Sequence, residues 1–138
     1  EAEWEKASRS TGGFLYPWGN SHPTRALANF NREWRGISTL NDVGTHSLGT
    51  SIYEVHDMAG NVWEWVADWY DLTYYERAHK KNPKGPKEGQ FKLVRGGSWV
   101  NNEDVLHSAF RRWSRPDARF NDTGFRCAKD DIHETQTN

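Results

Sequence analysis

The stretch NVWEWVADWY, residues 61–70, does most to limit what this chain can become. Its alternation puts Trp63, Trp65, Ala67 and Trp69 on one face of an extended strand, and Val62, Glu64, Val66 and Asp68 on the other. Only 35% of the 138 residues are hydrophobic, yet eight are Trp. A core resting on a few bulky rings instead of many aliphatics is therefore expected, with the Trp face inward and Glu64 turned away from it. The length suits one compact domain.

Punctuation elsewhere breaks the chain into short pieces. EAEWEKASR reads as an amphipathic helix with Trp4, Ala7 and Ala2 on its apolar face, and Gly12-Gly13 and Pro17 end it. Residues 19–51 are polar, rich in Gly, Asn, Ser and Thr, and hold no lasting period. So long an irregular segment inside a compact domain is expected to be functional or pinned. The loop NPKGPKEG, residues 82–89, carries two prolines and two glycines, and no helix crosses it. FKLVRGGSWV, LHSAFRRW and GFRCAKD read as three further strands, the last two joined by the turn SRPDARFNDT. The tail DIHETQTN, residues 131–138, reads as disordered, which leaves 1–130 as the domain. The fold class expected is α+β, with few short antiparallel strands, one or two helices and long structured loops.

Charge and motifs exclude several functions. The formal charge is −1, so no global field recruits nucleic acid or an anionic membrane surface. No apolar run approaches the roughly 18 residues of a membrane span. A single cysteine, Cys127, excludes an intrachain disulfide. None of the six histidines forms a zinc-type pair, and His56 and His107 read as hydrogen-bonded structural residues. No nucleophile elbow, phosphate loop or dinucleotide fingerprint is present. Gly96-Gly97 reads as a place where backbones approach closely.

Six motifs in one order, EAEWEKA, YPWGN, DMAGNVWEW, NPKGP, RGGSW and RP...R...GFRCA, resemble the formylglycine-generating enzyme, or sulfatase-modifying-factor, family. The resemblance covers residues 1 to about 129 and corresponds to the C-terminal portion of the family domain. It implies a variant of the C-type-lectin fold. Catalytic members oxidise a sulfatase cysteine to formylglycine with copper held by two cysteines. Others are binding modules, among them variable proteins of diversity-generating retroelements and domains fused to kinases or secretion components. Sulfoxide synthases that bind iron largely through another domain are related too. Membership alone does not choose among these.

Copper(I) favours two soft thiolates. The resemblance places those cysteines at positions that here hold Asn101 and Leu106, and Cys127 stands alone elsewhere, so no copper is expected. Ser98 matches the pocket serine of the oxidases. For calcium, which takes six to eight oxygens, the resemblance implies one site from the side chains of Asp57 and Glu64 and the carbonyls of Gly60 and Val62. It implies a second from Asn29 and the carbonyl of Phe30, with Asp42 the nearest acidic partner. The other reading of the first set is a turn capped by Asp57 and an ion pair made by Glu64.

The stretches WVNNEDVL and RRWSRPDARFND match those that the retroelement proteins diversify. They present Ser98, Trp99, Asn101, Asn102, Arg112, Trp113, Arg115, Arg119 and Asn121 as candidate ligand contacts, of residue types that carry binding hot spots. Against this, Trp99 suits a core and the arginines suit ion pairs with Asp104, Asp117 and Asp122. The function expected is a non-catalytic module, stabilised by calcium, that binds a protein or peptide in preference to a carbohydrate. The alternative is a metal-dependent oxidase, formylglycine-generating or sulfoxide-synthase-like, whose ligands lie outside these residues.

Overall fold

A computed structural model describes residues 1–37 and 39–129, so the expected tail at 131–138 lies outside the described residues. The architecture is the expected α+β one with few, short elements. Helix α1 spans Ala2–Arg9. Four strands follow: β1 (Trp63–Trp69), β2 (Lys92–Arg95), β3 (Arg112–Ser114) and β4 (Thr123–Phe125). A one-turn helix α2, Tyr74–Arg77, sits between β1 and β2. The sheet order is β3-β2-β1-β4. β2 is antiparallel to both β1 and β3, but β4 runs parallel to β1. Two of the three strand pairings are antiparallel as expected and the third is not: the loop after β3 carries the chain back to the far edge before it extends again. Among the described residues, no helix is long and apolar enough to cross a membrane.

The strands are shorter than the sequence pattern suggests, for identifiable reasons. β2 stops at Arg95 because Gly96 and Gly97 take φ of 93° and 75°. A Cβ on Gly97 would lie 2.8 Å from a Leu106 methyl, and one on Gly96 would lie 3.3 Å from the Met58 carbonyl. The glycine pair therefore permits close approach, as its sequence suggested. LHSAFRRW becomes a strand only at Arg112, because the carbonyls before it are bonded elsewhere. Arg95, wholly buried, donates Nη2 to Ser108 O (2.8 Å) and Nη1 to Phe110 O (2.6 Å).

The same guanidinium holds α1. It pairs with Glu5 at 2.6 Å and Glu1 at 3.6 Å, and lies 5.1 Å from the Trp4 ring centroid. Burial pushes Arg95 below its ordinary pKa, opposed by the charges of Glu1 and Glu5. Trp4 Nε1 donates to Glu64 Oε2 (2.7 Å), and Ser8 Oγ to Ser108 Oγ (2.7 Å). The inward face of α1 is thus Trp4 and Ser8 flanked by Glu1 and Glu5, not Trp4 with Ala7 and Ala2. The surface that receives this face is ionic as well as apolar.

Trp63 is buried as expected, but Trp65 and Trp69 are only half-buried, and Glu64 is buried on the opposite face. An irregular register between Trp65 and Trp69 turns the end of β1 outward, where Lys92 lies 3.9 Å over the Trp69 ring. Apolar packing is made up away from the sheet, where Tyr16, Ala28, Phe30, Ala59 and Leu106 cluster with Trp18 against them. Tyr16 and Trp18 stack with centroids 5.1 Å apart. Tyr16 Oη also meets His107 Nε2 at 3.0 Å, consistent with a structural His107.

Replacing Arg95 with Ala leaves Glu1 and Glu5 without their shared cation and removes the donor to the carbonyls of Ser108, Ala109 (3.2 Å from Nη1) and Phe110. We expect a loss of about 3–5 kcal/mol in denaturant unfolding. Arg95→Lys should recover little of it, because one ammonium cannot reach both the carbonyl cradle and the helix carboxylates.

Candidate ligand-binding face and cation sites

The long segment 19–51 is pinned, and asparagine side chains do the pinning. Asn61 lies in the left-handed region (φ 63°) at the loop before β1. Its Oδ1 accepts from Asn29 Nδ2 and from Asn41 N, both at 3.0 Å, and its Nδ2 donates to Asn41 O (3.1 Å). Its backbone N donates to Asn29 O (2.7 Å), while Trp99 N donates to Asn61 O (2.9 Å). Gly60 makes this approach possible: with φ at 77°, an added Cβ would stand 2.4 Å from Asn29 O. Three loops, 27–32, 39–42 and 98–102, are thereby joined through one residue.

The two cation sets differ in how well they suit an ion. Glu64 is 6% exposed and already has partners. Arg126 Nε donates to Glu64 Oε2 (2.7 Å), its Nη2 pairs with Glu64 Oε1, and Nη2 also donates to the carbonyls of His56 (3.1 Å) and Asp57 (3.3 Å). Burial alone would lower the Arg126 pKa, but Glu64 outweighs it and holds the guanidinium above its usual value. Asp57 (φ 57°) turns its Oδ2 to accept from Gly44 N (2.7 Å). Asp57, Gly60, Val62 and Glu64 therefore share one turn, but in this arrangement the carboxylate of Glu64 faces a guanidinium, not an open cavity. The set does not suit calcium unless Arg126 withdraws. Asp57 caps the turn onto Gly44 N, and Glu64 is ion-paired with Arg126.

Asn29 is different. It is 2% exposed, and its Nδ2 donates to Thr39 O (2.9 Å) and to Asn61 Oδ1. Those two acceptors fix the amide orientation, since a flipped group would aim oxygen at oxygen. Its Oδ1 is buried without a hydrogen-bond partner, the one acceptor among four such buried side-chain atoms of the described residues. An orphan amide oxygen in a polar loop is what a hard cation would complete. Phe30 is buried beside it, and Asp42 follows Asn41 in the same network.

The nine candidate ligand residues do not form one patch. Ser98 is wholly buried, its Oγ bonded to Asn101 Oδ1 (2.8 Å) and Asp122 Oδ2 (3.0 Å). Asn101 Oδ1 also accepts from Ser98 N (3.0 Å), so this side chain closes its own turn. Trp99 is 4% exposed and packs on Trp34, centroids 5.2 Å apart. These three form a floor. Asn102 stays exposed, with Nδ2 on Asp104 Oδ2 (2.8 Å), and Arg119 and Asn121 are exposed on the loop before β4. Arg112 and Trp113 lie on β3, at the other sheet edge from β4. There Arg112 lies 5.1 Å over Trp63, and Trp113 packs 4.4 Å from Phe91. Arg115 pairs with Asp117 at 3.2 Å.

Sequence reasoning missed the other half of the 98–102 surface. Asn31 N donates to Asn101 O (2.7 Å) and Arg32 N to Trp99 O (2.8 Å), so the segment Asn31–Trp34 rises beside that loop. Trp34 is 48% exposed and Val100 49%. The signal was available in FNREWRG, an aromatic flanked by arginines within an otherwise polar run.

The position of the lost cysteines is now concrete. Leu106 is fully buried in the apolar cluster, Asn101 is bonded within its turn, and Cys127 is exposed past β4. The family model for the sulfatase-modifying factor enzyme 1-like domain matches residues 1–131. The chain belongs to that family. It is 34% identical over 150 residues to the formylglycine-generating enzyme of Thermomonospora curvata, covering 96% of this chain and 48% of that protein. It is 38% identical over 133 residues to the serine/threonine-protein kinase Pkn1 of Chlamydia trachomatis, covering 94% of this chain and 20% of the kinase. Among solved structures it resembles Treponema denticola variable protein 1, with TM-score 0.70, 26% identity, 90% of this chain covered and 44% of the other. The chain thus spans about half the length of the formylglycine-generating enzyme it matches.

Two outcomes follow for the node at Glu64 and the hinge at Gly60. Arg126→Gln should cost about 1–2 kcal/mol of stability, discounted because the pair is partly exposed, and differential scanning calorimetry would detect it. Gly60→Ala should cost at least about 2 kcal/mol, from a left-handed φ and a clash with backbone, measured by urea unfolding.

Proposed function

We propose that this chain is a non-catalytic binding module built on the family scaffold. Its ligand surface is the pair of stapled segments around Trp34 and Trp99, with Asn31, Arg32, Val100 and Asn102 around them. One observation carries the reading: the two positions that would supply a copper thiolate pair are an asparagine bonded within a turn and a leucine sealed in the core. The similarity to a variable protein supports a binding role. The expected ligand is a protein or peptide, since an exposed Trp on a rigid floor suits a flat partner. A carbohydrate ranks behind it, because the Trp34 ring already packs at a 35° tilt on Trp99.

Calcium belongs to this reading at Asn29. Asn29 Oδ1, the Phe30 carbonyl and the Asp42 carboxylate would hold the ion, and the orphan oxygen supports the assignment. Bound there, calcium would neutralise local oxygen density and tie segment 27–32 to 39–42. The chain's own residues do the rest: Asn61 fixes the loops, and Arg126 supplies the positive charge at Glu64.

The second reading is a metal-dependent oxidase whose ligands lie outside these residues, and the 34% identity to a formylglycine-generating enzyme is what favours it. The two separate cleanly. With a peptide bearing the sulfatase cysteine motif and a thiol reductant, the full-length protein that carries these residues, supplied with copper or iron, should consume no oxygen above background. Peptide oxidation with turnover would overturn the binding reading. For calcium, millimolar ion against chelator should raise the melting temperature of the wild type by a few degrees. Asn29→Ala should abolish that difference, whatever its own melting temperature. An unchanged calcium increment in Asn29→Ala would remove the ion from this site.

A further inference from the structure

We infer that the ligand surface includes an anion subsite, and that its ligand is an acidic peptide segment. The inference rests on the binding reading above. A polar cleft of about 330 Å³ lies beside the Trp34 segment, lined by Arg25, Asn31, Arg32, Glu33 and Arg35. Three guanidinium groups against one carboxylate leave it with a local charge of +2, from the lining itself. The whole chain carries −1, so this is a local concentration and not a reflection of composition.

Most other arginines of the fold are committed to carboxylates. Arg77 pairs with Asp71, Arg95 with Glu1 and Glu5, Arg111 with Glu1, Arg115 with Asp117, and Arg126 with Glu64. In the cleft the pattern changes. Arg25 uses one N–H, from Nη2 to the Asn31 carbonyl (3.1 Å), which positions the guanidinium and leaves its other donors uncommitted among the described residues. The Arg32 guanidinium has no hydrogen bond or ion pair among the described residues, while its backbone is fixed to Trp99 O. Arg35 lines the cleft, with Nη2 4.0 Å from Glu33. The left-handed Asn31 (φ 51°), stapled to Asn101, makes the bend that brings Arg25 and Arg32 to one cleft.

Guanidinium forks match carboxylate oxygens two by two. Separate forks at Arg25 and Arg32 suit two monoanionic side chains, and Glu33 in the wall disfavours one compact dianion such as phosphate. A nucleic acid would need a basic track spaced along a backbone, which a single small cleft on a chain of charge −1 does not provide. The neighbouring exposed Trp34 then packs against the peptide between its acids.

Fluorescence anisotropy of the full chain with a labelled hexaglutamate peptide tests this directly. Hexaglutamate should bind, hexaglutamine at least roughly tenfold more weakly, and affinity should fall between about 50 and about 200 mM salt. The double variant Arg25→Gln, Arg32→Gln should lose roughly tenfold or more with an unchanged melting temperature, since neither guanidinium supports the core. Equal binding of both peptides, full affinity in the double variant, no binding of hexaglutamate at millimolar concentration, or displacement by inorganic phosphate at lower concentration than by glutarate would each overturn the proposal. Binding that survives the double variant but fails in Trp34→Ala would sink the anion subsite and leave the binding module standing.

Discussion

The fold depends on one buried cation. Arg95 emerges from the last residue of β2, fully enclosed, and its guanidinium receives the first turn of α1 on one side and successive carbonyls of 108–110 on the other. A domain with so few aliphatics cannot hold a short helix to a sheet by apolar area alone. It uses a charge that is costly to bury and therefore exacting about its partners. Because residues 108–110 give their carbonyls to Arg95, they leave the ladder, β3 shrinks to three residues, and the chain is freed to build the loops that follow. The glycine pair after Arg95 then turns directly into the 98–102 loop. Helix docking and the course of the 98–102 loop are thus set from adjacent residues.

A second organiser, Asn61, works by amide hydrogen bonds. It joins three irregular segments that have no strand or helix of their own, and through Asn29 and Trp99 it sets the height of the Trp34–Trp99 pair. Arg126 performs a similar task next door, reaching from beyond β4 to Glu64 and to the carbonyls of 56–57. A guanidinium and asparagine amides hold these irregular segments together, and among the described residues Asn29 Oδ1 is the one buried side-chain oxygen without a hydrogen-bond partner.

Much of this was legible in the chain. The alternation in NVWEWVADWY located β1, and the Gly-Gly after VR located the end of β2. The ordered motifs identified the family, and its fold followed. What was not legible is equally specific. Periodicity cannot reveal that Glu64 faces a helix carrying Glu1, Trp4 and Glu5, because the alternation of a strand says which residues share a face and not what covers it. Nor could it show that Ser98, Trp99 and Asn101 lie beneath the surface that Arg32 and Trp34 present. That depends on hydrogen bonds between residues some seventy apart, and on a left-handed Asn31 that no local pattern marks.

We propose that ligand meets the chain where segment 31–34 and loop 98–102 are stapled together. Heteronuclear NMR of the labelled chain, titrated with hexaglutamate, tests it most directly. The Trp34 indole resonance and the amides of Arg32, Trp34, Val100 and Asn102 should shift together and saturate, while Trp63 and Arg95 in the interior stay still. Shifts concentrated around Cys127 and β4, with Trp34 unmoved, would contradict it.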